Sequence, residues 1–341
     1  MQLLKTLAKA GTFAAMALLA LPANAQTPEE FYAGKTVELY IGYSVGGGYD
    51  TYARLVARHM GKHIPGNPNV VPVNMEGAGS LRATNWIYNA APKDGLVFGT
   101  FARGAAFEPL LGQGEAQYDA AEFNWIGSAN DEVSVCAAWK TAGITTFEEL
   151  REKPLIVGGT GRAADTDTFP RVINGVFGTK METISGYPGG NDITLAMERG
   201  EVQGRCGWSW SSVKSLHSDW VENKDINLLV QISLEKHADL PDVPLIMDFV
   251  ENDEQRQILE LVFARQVMGR PFAAPPGVPE DRVTALREAF MATMADPEFL
   301  AEAEQAELEI TAVPGERIAE LVASAYQTSP EVVEQTKALM E

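Results

Sequence analysis

Apolar and polar residues alternate along the first hundred positions in the manner of a strand–helix–strand fold. Thr36-Val37-Glu38-Leu39-Tyr40-Ile41 reads as a strand ended by glycines. Thr51 to Met60 follows as a helix, with Leu55, Val56, His59 and Met60 at helical spacing and Asp50 placed as its N-cap. Val70 to Val73 is a second strand, Leu81 to Ala90 a second helix, and Leu96 to Phe101 a third strand. Short glycine-bearing connections between such elements predict a mostly parallel sheet flanked by helices.

From about Ile126 the same grammar starts again. Ser134 to Ala138, Leu155 to Val157, Glu182 to Ile184 and Val202 to Trp208 read as strands. Thr146 to Arg151, Thr166 to Val176 and Ile193 to Glu198 read as helices between them. Asn227 to Ile232 is one more apolar strand, placed to rejoin the first sheet. The C-terminal part is helical, with Val283, Leu286, Phe290 and Met294 on one stripe entered through Pro279 and stopped before Pro297. The expected architecture is α/β with two lobes. Residues 26–127 plus 229–341 form a discontinuous lobe 1, and residues 128–228 form lobe 2.

Residues 1–25 have the pattern of a signal peptide. Lys5 and Lys9 precede an apolar run from Gly11 to Leu21, and Ala23-Asn24-Ala25 offers a cleavage site after Ala25. That run is too short to span a bilayer, which takes about 20 residues. The expected location is therefore the periplasm. The net charge of −19 repels polyanions, which argues against nucleic acid as a partner. An anionic ligand would have to be captured by local positive groups. Cys136 and Cys206, the two cysteines, lie in strand-like stretches and are expected to form a disulfide in an oxidising compartment. No metal site and no cofactor are expected.

Four glycine-rich segments stand where a strand hands over to a helix. They are Gly46-Gly47-Gly48, Gly77-Ala78-Gly79-Ser80, Gly158-Gly159-Thr160-Gly161 and Gly189-Gly190-Asn191-Asp192. Glycine allows a ligand to approach the main chain, and the free N–H groups and dipole of the next helix favour an anion. In open parallel sheets such junctions gather at the carboxyl ends of the strands, where ligands bind. Two junctions fall in each lobe, as a clamshell grip requires.

Gly46-Gly47 followed by Asp50-Thr51-Tyr52-Ala53-Arg54 resembles a GG-x-x-D-x-x-A-R signature. Gly77-Ala78-Gly79-Ser80 with Ala91-Pro92-Lys93-Asp94-Gly95 resembles a GAGG…P-D-G block. Tyr187-Pro188-Gly189-Gly190, Leu240-Pro241-Asp242-Val243-Pro244, Ala274 to Pro279 and Asp296-Pro297 match further elements in the same order. These belong to the substrate-receptor family of the tripartite tricarboxylate transporters, and the resemblance runs through nearly all of the chain after residue 25. It implies a two-lobed (type II) periplasmic binding protein that takes a small organic acid, with membrane permease subunits as partner. It also implies that the carboxylate is held by Tyr43, Ser44, Val45, Gly46, Gly47, Tyr49 and Asp50 on one side. Gly159, Thr160, Gly161, Arg162, Asp165, Tyr187 and Gly189 face them. The sequence departs from the family pattern at Gly42, Ser80, Arg162 and Asp165, so the identity of the acid does not carry over.

Arg103, after a strand end in lobe 1, and Arg162, in a lobe 2 glycine loop, are candidates to fork a carboxylate; pairing with a nearby acid such as Asp165 or Asp167 is the alternative for each. Arg54 reads as structural. Tyr43, Tyr49, Phe101, Trp208 and Trp210 could line the cleft with Ser209, which would favour an aromatic or long-chain acid; core packing is the competing role. Gly42-Tyr43-Ser44-Val45-Gly46 fits the G-x-S-x-G of a serine hydrolase with His217 or His237 downstream, but little chain precedes Ser44 to build an oxyanion site. A sensor component that presents its ligand to a receptor shares the same fold. The favoured expectation is a monomeric, non-enzymatic solute receptor.

Overall fold

The computed structural model describes residues 26–112 and 114–340. The signal-peptide reading of residues 1–25, with its cleavage after Ala25, lies outside the described residues. Among the described residues no helix is long and apolar enough to cross a membrane.

Among the described residues, eleven strands build two sheets. The first contains β1 (Thr36–Ile41), β2 (Asn69–Asn74), β3 (Val97–Thr100), β4 (Asn124–Ser128), β10 (Pro271–Ala274) and β11 (Val313–Pro314), in the order β11-β4-β10-β3-β1-β2. The second contains β5 (Ser134–Trp139), β6 (Leu155–Gly158), β7 (Met181–Ile184), β8 (Gly204–Ser209) and β9 (Ile226–Ile232), in the order β7-β6-β8-β5-β9. Each sheet is mixed. Strands β1, β2 and β3 run parallel, as do β6, β7 and β8, through the helical crossovers that the apolar periodicity predicts. Strand β10 then inserts antiparallel between β3 and β4, and β5 inserts antiparallel between β8 and β9.

Two differences from the expected lobes follow. Strand β9 pairs with β5 along its length in the second sheet rather than rejoining the first. The helices Asp253–Phe263 and Pro330–Met340 pack with Asp165–Phe177 of the second lobe, where Leu339 sits over Gly175. The chain therefore returns to the first sheet only at β10, and its last helix crosses over again. The reason is apolar burial: Val230 and Ile232 on β9 and Ile258, Leu259, Val262 and Phe263 on the helix are all buried in the core around Leu155, Val157, Phe169 and Ile173.

The helix after β1 spans Gly48–Met60, with Gly47 as N-cap. Asp50 is thus inside the first turn and not at the cap. Its buried carboxylate accepts from Gly46 N at 2.9 Å, Arg54 Nε at 2.9 Å and Asn74 Nδ2 at 2.8 Å. Burial works against its charge, but those donors hold its pKa below the usual carboxylate range. Asp50 and Arg54 fasten the first glycine loop to β2. Cys136 on β5 and Cys206 on β8 are joined as a disulfide across neighbouring strands.

Candidate ligand-binding site

The ends of β1, β3, β6 and β8 meet at a cavity between the lobes, with ≈ 500 Å³ of atom-free space open at its mouth. Lobe 1 contributes Tyr43, Gly47, Gly48, Tyr49, Ala102, Arg103 and Arg270, and lobe 2 contributes among others Thr160, Asp165, Gly190, Arg205 and Ser209. The glycine loops of the two halves touch. Gly79 N donates to Thr160 O at 2.9 Å, and Ser44 N donates to Pro188 O at 3.2 Å. Asn191 Nδ2 donates to Val45 O at 2.9 Å. The contact leaves no room for side chains: Gly161 has a φ of +143°, and a Cβ there would strike the Gly79 amide.

Four helices start at this cavity: Gly48–Met60 from lobe 1, and Asp165–Phe177, Gly190–Glu198 and Trp210–Glu222 from lobe 2. In none of the four does the N-cap residue's own side chain cap the helix, as is also true of Glu280–Met294 and Gly315–Ala325 elsewhere. In the Trp210–Glu222 helix, Val133 O and the Glu132 carboxylate already accept from the first two N–H groups, those of Trp210 and Ser211. The other three starts direct backbone N–H groups and roughly half a positive charge each toward the cavity. An anion placed there satisfies donors that the protein itself leaves open.

Arginine side chains dominate the walls. Arg103 is 2% exposed and Asp165 7%. The Arg103 Nε donates to Asp165 Oδ2 at 2.5 Å, Nη1 to Gly269 O at 3.1 Å and Nη2 to Ser134 Oγ at 2.9 Å. Burial opposes its charge, but Asp165 and Tyr49 keep it protonated far above any working pH. Arg265 lies behind the pair, its Nη1 3.7 Å from Asp165 Oδ1 and its guanidinium over the ring of Phe107 at 4.9 Å. Arg270 reaches Glu132 at 3.3 Å and donates to Ser209 at 3.0 Å and Ser212 at 2.9 Å. Its guanidinium also stacks over Tyr49 at 4.7 Å. Arg205, on β8, donates Nη1 to Gly190 O at 3.1 Å and stacks on Trp208 at 5.0 Å. Among the described residues no carboxylate lies within ion-pair reach of it. Burial pushes its pKa down to about 9, with Arg270 adding to the effect. A chain with a net charge of −19 thus builds a cavity with surplus positive charge.

Of the residues expected from sequence, Tyr43, Gly47, Tyr49, Arg103, Thr160, Asp165 and Ser209 line the cavity. Gly46, Gly159, Gly161, Tyr187 and Gly189 belong to the loops that shape it without lining it, and Val45 is 60% exposed at the rim. Arg162 lines a different cavity, with Glu108, Thr168, Arg171 and Lys337, because its loop turns the side chain away from the interlobe face. Phe101 packs against Phe123 and Trp125, and Trp208 against Trp220, so both are core. Trp210 is buried beside Trp208 in the same lobe 2 core. Only Tyr43 and Tyr49 remain as cavity aromatics, their rings 4.8 Å apart, and burial raises the pKa of both hydroxyls. The aromatic clustering that pointed to an aromatic acid is therefore not found at the cavity.

Sequence reading missed Arg205, Arg270, Thr166 and Ser212, whereas Gly48 and Gly190 belong to the glycine junctions it singled out. Arg205 sits on the same β8 face as Trp208's neighbours, a clue in the alternation; Arg270 lies in a segment with no periodic pattern. Ser44 Oγ donates to Asp192 Oδ2 at 2.7 Å and contacts Asn191. Among the described residues no histidine reaches it: His217 is packed against Trp208 and Trp220, and His237 lies beside Asp239 and Glu309. A hydrolytic Ser–His pair is absent from these contacts.

No protein-family model matches the sequence. A curated relative from Agrobacterium vitis, the UPF0065 protein in the TAR-I ttuE-ttuC' intergenic region, is 26% identical over 233 residues. The match covers 66% of this chain and 64% of that protein, so the chain spans less than two thirds of that relative's length. Among solved structures, periplasmic binding protein BugD superposes with a TM-score of 0.72 at 19% identity, covering 90% of this chain and 98% of BugD. A Rhodopseudomonas palustris protein solved with adipate gives 0.70 at 17% identity, covering 89% and 97%. A TctC solute-binding protein from Polaromonas gives 0.58 at 19% identity, covering 91% and 99%. The sequence motifs and these superpositions agree: the chain resembles the tripartite tricarboxylate receptors and has the two-lobed fold of the periplasmic solute-binding proteins.

Proposed function

We propose that this protein is an extracytoplasmic receptor, acting as a single chain, that captures a small carboxylate between its lobes and hands it to a tripartite tricarboxylate-type membrane transporter. The observation that carries the reading is the convergence of three open helix starts, from both lobes, on one arginine-walled cavity between the two sheets. The adipate held by one structural neighbour supports the ligand class. The role is binding, not turnover: the cavity offers fixed positive groups and, among the described residues, no paired nucleophile and base.

Capture follows from electrostatics. A carboxylate entering the gap meets backbone N–H groups from both lobes at once. Closure removes water, lowers the local dielectric and strengthens each contact. Thermal-shift screening of the protein lacking residues 1–25 against a carboxylate library tests the reading. A ligand at 100 times its Kd adds about 2.7 kcal/mol of stability. Stabilisation by one or a few small acids, and not by their methyl esters, is expected. A library that shifts nothing, or esters that act as well as acids, would overturn it.

A further inference from the structure

Of the four arginines at the cavity, all but one have a carboxylate within ion-pair reach. Arg103 and Arg265 share Asp165, and Arg270 has Glu132. Arg205 has only the Gly190 carbonyl, on Nη1. Its Nε is buried without a hydrogen-bond partner, and no acceptor among the described residues takes its Nη2. His217, packed on the same Trp208, is held neutral, its pKa pushed down to about 4 by burial and by Arg205 itself.

The position of Arg205 ties it to lobe closure. It stands on β8 of lobe 2, under the first turn of the Gly190–Glu198 helix. The lobe 1 loop comes down beside it: a Cβ on Gly47 would lie 3.5 Å from Gly190 N. Closing the lobes therefore encloses one guanidinium near a second, that of Arg270 from lobe 1, with no acid between them. An uncompensated charge taken out of water costs several kcal/mol, and a forked carboxylate removes that cost through two parallel N–H···O bonds.

We propose that Arg205 is the specificity-determining residue of this cavity: its unpaired charge demands an anionic oxygen, and until a ligand supplies one it opposes closure. This rests on the receptor reading, and deepens it by naming the group that couples ligand charge to lobe movement. Arg205 is thus the ligand's anchor, and its unpaired charge counts against the closed arrangement until a ligand is bound. A neutral ligand of the same shape leaves the cation unpaired and does not close the protein.

The test uses Arg205→Met, which keeps the stem without the charge, and Arg205→Lys, which keeps the charge without the fork. Small-angle scattering and thermal melting are recorded without ligand and with adipate, malate, succinate and benzoate, and with dimethyl adipate as the neutral control. Without ligand, Arg205→Met should be more compact and melt higher than the natural chain, and Arg205→Lys should behave like it. For an acid that the natural chain binds, affinity should fall at least 100-fold in Arg205→Met and by less in Arg205→Lys. Unchanged affinity in Arg205→Met, or an unliganded Arg205→Met that is neither more compact nor more stable, overturns the proposal and leaves the receptor reading standing. If instead unliganded Arg205→Met compacts while the natural chain binds none of the four acids, the role of Arg205 in closure holds and the carboxylate reading falls.

Discussion

Replacing Arg103 with methionine isolates the largest single electrostatic commitment between the lobes. At 2.5 Å the Arg103–Asp165 attraction amounts to about 7 kcal/mol at an effective dielectric constant of about 20. Most of that is offset by the desolvation both groups undergo. What the substitution removes is compensation: Asp165 stays buried with only Arg265 at 3.7 Å, and Gly269 O, Ser134 Oγ and Ser209 Oγ each lose a donor. Breaking one side of a buried pair costs about 3–5 kcal/mol, and that is the loss expected for Arg103→Met in urea denaturation followed by tryptophan fluorescence. Asp165→Asn should cost a comparable amount. The double variant should cost at least about 2 kcal/mol less than the two singles added, since neither then strands the other. A single-variant cost under about 1 kcal/mol, or additivity within about 0.5 kcal/mol, would show that the pair does not bind the halves as described.

Glu108 supplies a pH-dependent companion. Burial raises its pKa from the ordinary 4.5 to about 7, against the pull of Arg265 and Arg162. For an acid raised in the folded state, the stability it contributes is complete below about pH 4.5 and is lost as pH climbs to 7. Glu108→Gln should therefore gain up to about 3 kcal/mol over the natural chain at pH 8 and nothing at pH 4; equal effects at both pH values in urea titrations would refute it. Gly190→Ala places a Cβ 2.5 Å from the Arg205 guanidinium, so carboxylate affinity should drop at least tenfold while the melting temperature moves by only a few degrees. Retained affinity by calorimetry would count against Arg205 as an anchor. The Cys136–Cys206 bridge closes a separation of 70 residues, and replacing both cysteines by serine should cost about 4 kcal/mol. A loss below about 1 kcal/mol in the same denaturation assay would contradict that.

The parallel halves of both sheets were legible because their strands alternate with helices of clear 3.6 periodicity. The glycine junctions were legible because glycine clusters at strand ends have few uses. The antiparallel insertions were not. Strand β10 is four residues of unbroken burial, with no alternation to mark it, and β9 carries the same apolar run whichever sheet it joins. Among the arginines, Arg103 stood out by following a strand end, with Asp165 and Asp167 as its possible partners; which of the two it meets depends on how the lobes face each other. Arg162 looked equivalent and faces elsewhere, since a loop side chain's direction depends on a backbone turn that composition does not encode. Arg205 was hidden for the opposite reason: in a strand, burial decides which alternate residues face the cavity, and that depends on the lobe opposite.

The cavity is not built symmetrically. Two of its three open helix starts, and Arg205 as well, come from the second half of the molecule; the first half offers one helix start and arginines already engaged by acids. Under the proposed function, an acid released as the halves part keeps most of its partners on one side and loses them on the other. Cargo would then ride on that half like food on the deeper shell of an oyster, and whatever unloads it must compete with β8 and its neighbouring helices, not with the rim around Val45.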